Sequence, residues 1–99
     1  MFKEINSIDE LPIEGLYVLV IRNSNKAPCR KFVNTVMEVS SWLVDIPFYL
    51  IDYRVELKET IRITYMPALY VYRDGKELNM ISGHFWGSFQ IRGEIERFL

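Results

Sequence analysis

The only cysteine of this 99-residue chain, Cys29, stands in the stretch NKAPCRK at residues 25–31. An ionised thiol is a strong nucleophile toward disulfides and oxidants, so this stretch is where the sequence could do chemistry. Its setting pulls two ways. The first turn of a helix, with Lys26, Arg30 and Lys31 close by, favours thiolate, because the helix dipole is positive at that end. Burial in apolar surroundings would raise the thiol pKa and keep reagents away. Cys29 therefore reads either as a one-thiol site or as a core residue at a helix start, as free cysteines usually are.

Being alone limits what Cys29 can build. One cysteine closes no intramolecular disulfide, and with the single histidine, His84, it cannot complete a four-ligand structural zinc site. The sequence shows no glycine-rich phosphate loop, no pair of histidines at ligand spacing and no Ser/His/Asp order that suggests a triad. Glu56, Glu59, Glu94 and Glu96 alternate with basic residues, as solvated helix faces do. No cofactor and no metal are expected.

Twelve basic against 13 acidic side chains give a net charge of -1, so no global field recommends nucleic acid or an anionic membrane as partner. The longest apolar run, LYVLVI at residues 16–21, is far below the ~20 residues that cross a bilayer. The opening MFKEINSIDE lacks the apolar core of a signal peptide. The expectation is a cytosolic, soluble protein. With 49% hydrophobic residues the chain can bury one core, so residues 1–99 read as a single domain.

The elements that must position Cys29 alternate cleanly. FKEI reads as a short edge strand, and residues 7–11 as at most one helical turn before Pro12. LYVLVIR, residues 16–22, is apolar on both faces, as a central strand of a parallel sheet would be. From Pro28 to about Val44, Phe32, Val33, Val36, Met37, Val39, Leu43 and Val44 recur at helical spacing. IPFYLID, residues 46–52, reads as a second buried strand, followed by a short helical pattern. ALYVYR and KELNMIS flank Asp74-Gly75, a pair suited to the positive φ angles of a tight hairpin. Gly83 then ends the last strand, and SFQIRGEIERFL predicts a closing helix with Ser88 as N-cap and Phe89, Ile95, Phe98 and Leu99 on its apolar face. The order specifies an α/β fold: a mixed four- or five-stranded sheet with helices on both faces.

This order of anchors resembles the thioredoxin family over nearly the whole chain. NKAPCRK follows a buried strand where that family shows W-C-G-P-C-K at the start of its long helix. YMPALYVYRDGK, residues 65–76, is similar to the family's cis-proline, strand, turn and strand, and Gly83 falls where the family places a glycine beside the active site. The resemblance implies a thioredoxin-like fold, a cis peptide between Met66 and Pro67, and a groove for extended peptides lined by Lys26, Ala27, Pro28, Tyr65, Met66, Pro67 and Gly83.

The departures bear on function. Aligned on Pro28 and Cys29, the family's nucleophilic first cysteine falls at Lys26, its tryptophan at Asn25 and its buried aspartate at Val20. Cys29 holds the place of the second, resolving cysteine. Two expectations follow. One is a binding or regulatory module without dithiol reductase activity, its groove rimmed by Arg22, Arg30 and Lys31 and taking a protein or peptide partner of acidic character. The other is a monothiol redox protein whose Cys29 forms mixed disulfides with glutathione or a partner, catalytic through that residue alone. His84 reads as an ordinary loop histidine. Tyr17, Tyr49, Tyr70 and Tyr72 lie inside predicted strands, where tyrosine is common, and no chemistry is assigned to them.

Overall fold

The computed structural model describes residues 2–23, 27–52, 67–82 and 86–99. Strand β1 is Phe2–Glu4, β2 Leu16–Arg22, β3 Phe48–Asp52, β4 Ala68–Arg73 and β5 Lys76–Ser82. Helix α1 is Ala27–Trp42, helix α2 is Ser88–Glu96, and a 3-10 helix spans Ile8–Glu10. The five strands form one sheet in the order β1-β3-β2-β4-β5. The first three run parallel, and β4 and β5 are each antiparallel to the preceding neighbour. β2 is thus the central strand, and α1 carries the chain from it to the parallel β3.

The alternation of the strands divides the core into two layers. Val18 and Val20 of β2, Phe48 and Leu50 of β3, and Leu69 and Val71 of β4 pack with Phe32, Val36 and Val39 of α1 and with Ile91 and Ile95 of α2. On the opposite face Tyr17, Leu19, Ile21, Tyr49, Ile51, Tyr70 and Tyr72 pack with Ile5 and with Ile8 of the 3-10 helix. The short helical pattern expected after β3 lies outside the described residues.

Local signals explain most boundaries. Asp74 at φ 53° and Gly75 at φ +79° make the tight hairpin turn. Ser7 caps the 3-10 helix, its Oγ accepting from the Asp9 amide at 3.2 Å while Glu10 Oε2 accepts from the Ser7 amide at 3.1 Å, a reciprocal capping box.

Five side-chain assignments differ from the sequence reading. Met37 (47% exposed) and Val44 (69%) are outside the core, Val44 because α1 ends at Trp42. Gly87, not Ser88, is the N-cap of α2. The buried stripe of that helix is Ile91 and Ile95, while Phe89 is 75% exposed; two residues from Ile91, it is turned about 200° around the helix axis. Phe89 stacks instead on Trp42 of α1, ring centres 5.4 Å apart, with the Arg92 guanidinium 5.5 Å above the Trp42 ring. Leu99, also expected on that face, is 69% exposed.

Candidate functional site

The sequence places its candidate residues at the end of the sheet where β2 passes into α1. Arg22 is the last residue of β2, Ala27 and Pro28 open α1, and Cys29 is its third residue. Proline is compatible with the first turn of a helix, where its missing N–H would have no intrahelical partner.

Pro67 arrives at the same end from another direction. It directly precedes β4, whose first residue, Ala68, pairs with Ile21 of β2 on one side and Ser82 of β5 on the other. The register therefore sets Pro67 level with Arg22, beside the link from β2 to α1. Pro67 is buried. Lys26, Tyr65, Met66, Gly83 and His84, and with them the Met66–Pro67 peptide bond, lie outside the described residues.

Cys29 is a free thiol with 0% exposure. The neighbouring basic side chains behave differently from it and from one another. Arg30 and Lys31 are exposed on the first turns of α1. Arg22 is half-buried and forms an ion pair with Glu4, reaching from β2 across β3 to β1. It is thereby committed within the sheet, a partnership invisible in the sequence because it depends on β1 lying outside β3. Asn23, which follows Arg22, is 7% exposed and has a partner; the sequence reading did not single it out. Val20, where the resemblance would place an aspartate, is fully buried among apolar side chains, so no proton-accepting carboxylate stands there.

Chemically, this arrangement offers a shielded single thiol at a helix start, a buried proline at the adjacent strand start, and exposed cations on α1. Among the described residues no three His, Cys, Asp or Glu side chains converge as metal ligands would, and no described helix is long and apolar enough to cross a membrane.

No protein-family model matches the chain, and no curated protein matches it in sequence. Solved structures do match in shape. Thioredoxin from Plasmodium falciparum superposes with a TM-score of 0.84 at 22% identity, covering 98% of this chain and 99% of its own. Thioredoxin from Schistosoma mansoni gives 0.79 at 21% identity, covering 99% and 98%. Thioredoxin f2 from Chlamydomonas reinhardtii gives 0.81 at 15% identity, covering 99% and 96%. Likeness over the full length at such low identity is a statement about backbone architecture: the chain has the thioredoxin fold.

Proposed function

We propose that this chain is a thioredoxin-fold binding or regulatory module that works without dithiol chemistry, through the groove around Lys26, Cys29 and Pro67, with an acidic protein or peptide as partner and the cytoplasm as its compartment. The observation that carries the reading is the complete burial of the only thiol. A disulfide reductase needs an exposed thiolate to attack and a second thiol to release the mixed disulfide. This chain has no second thiol, and the first is shielded.

The groove would supply what extended peptides need, backbone groups at a strand start beside an apolar surface. The exposed Arg30 and Lys31 would favour acidic guests. The competing reading, a monothiol protein, has in its favour the position of Cys29 in the first turn of a 16-residue helix, where the dipole favours thiolate. In that scheme the Cys29 thiolate would displace one sulfur of a disulfide, and an external thiol such as glutathione would resolve the product.

The rate of Cys29 alkylation against pH, folded protein against unfolded, separates the two. Protection until unfolding supports the module. Rapid modification of the folded protein, with an apparent pKa well below the ~8.5 of a free cysteine, would replace it with the monothiol reading.

A further inference from the structure

At the opposite end of the sheet from Cys29 lies a cavity of about 530 Å³ whose lining includes Leu11, Pro12, Ile13, Tyr17, Tyr72 and Glu77. That volume is in the range of small-molecule sites. We propose that this cavity binds a small organic ammonium ion carrying an apolar, arylalkyl-sized body, with Glu77 as the counter-ion.

The walls are fixed before any ligand arrives. The loop preceding β2 is clasped to the hairpin turn by two hydrogen bonds: the Gly15 amide donates to Asp74 Oδ1 at 2.7 Å, and the Asp74 amide donates to the Gly15 carbonyl at 3.0 Å. Gly15 sits at φ +87°, a backbone region that a side chain would oppose. On the other flank the capping box holds the 3-10 helix that carries Ile8 and Asp9 into the lining. Tyr17 and Tyr72 are stacked, ring centres 5.2 Å apart and planes within 10°, and Tyr49 meets Tyr17 edge-on at 5.8 Å. Rings locked against each other in this way make a rigid wall, and a preformed site loses little freedom on binding.

The polarity of the site sets the sign of the ligand. Glu77 is the register partner of Tyr72, which puts its carboxylate beside the tyrosine layer. Burial raises the Tyr70 and Tyr72 phenols above their usual pKa, and the negative charge of Glu77 raises both further, so these phenols remain neutral at physiological pH. The remaining charged lining residues, Asp9 and Lys76, leave the cavity with one net negative charge. Apolar lip residues, with Ile13 84% exposed, would cover a hydrocarbon body, and an ammonium group would find a carboxylate acceptor at Glu77.

The test is an amide NMR titration of the intact chain with 2-phenylethylammonium, 2-phenylethanol and 3-phenylpropionate. The amine should give saturable shifts at Leu11, Tyr17, Tyr72 and Glu77, bind more tightly than the alcohol, and outcompete the carboxylate. Glu77→Gln, at an exposed edge-strand position, should weaken the amine roughly tenfold, the scale of a charge-assisted contact, while leaving the alcohol unchanged. Shifts that do not saturate, equal binding of all three compounds, or an amine affinity indifferent to Glu77→Gln would each overturn the proposal.

Discussion

On β2, Val18 and Val20 point into the layer beneath α1 and α2, while Tyr17, Leu19 and Ile21 point to the other side of the same strand. The same division runs through β4, with Leu69 and Val71 on one face and Ala68, Tyr70 and Tyr72 on the other. The helix-covered face is aliphatic and phenylalanine-rich and is closed by two helices. The opposite face carries four tyrosines whose rings contact one another. One layer is held by volume alone; the other includes hydroxyls that must stay uncharged. The two faces should therefore fail under different stresses.

The largest expected contrast is in volume. Phe32, 1% exposed in the helix-side layer, should cost about 3–5 kcal/mol on replacement by alanine, whereas Tyr17→Phe, which keeps the ring, should change stability by less than about 1 kcal/mol. Urea denaturation of both variants checks this, and equal losses would dissolve the distinction between the faces.

Of the two layers, alkali should act on the one that holds the phenols. Burial raises the Tyr17, Tyr70 and Tyr72 phenols above their usual 10.0, so the folded state holds those protons more tightly than the unfolded chain does. Their contribution to stability is complete below about pH 10 and declines as pH rises toward the folded values, by up to ~1.4 kcal/mol per pH unit for each phenol. Stability measured from pH 8 to 11.5 should fall at the top of the range, and Tyr72→Phe should make that fall shallower. A flat profile would mean that the phenols titrate normally.

A smaller effect is expected where the tyrosine face meets the hairpin turn. Gly75→Val would place a side chain at φ +79° and should cost roughly 1–2 kcal/mol, visible as a lower urea midpoint with an unchanged slope. The smallest is Arg22→Gln, which removes the ion pair with the exposed Glu4 at a cost of no more than about 1 kcal/mol. A greater loss would show that the bridge over β3 contributes more to holding the sheet than an ordinary surface pair.

The sheet was legible because its signals are local. A continuous apolar run marked β2, and the Asp74-Gly75 turn between ALYVYR and KELNMIS marked β4 and β5, to the residue. Helix faces were less legible, since spacing shows that apolar residues recur without showing where a helix stops or which stripe faces inward; Val44 and Phe89 were misassigned for those reasons. Cys29 and Pro67 were picked out by type and order. The commitment of Arg22 to Glu4 and the cavity between residues 8–17 and 72–77 depend on chain segments meeting across the sheet, and neither leaves a trace in adjacent residues.

The brevity of β1 has a bearing on how the edge of β3 is covered. Three residues pair with β3, and the hold is reinforced by the Ile5 amide donating to the Leu50 carbonyl at 2.8 Å, by the buried Ile5 side chain and by the Arg22–Glu4 bridge. Beneath this cover β3 reads Phe-Tyr-Leu-Ile-Asp, a β-prone segment that, if uncovered, would present unpaired backbone donors and acceptors to any passing strand. The small N-terminal strand thus stands between β3 and intermolecular sheet extension, and Ile5, which helps to pin it down, belongs at the same time to the core layer on that face.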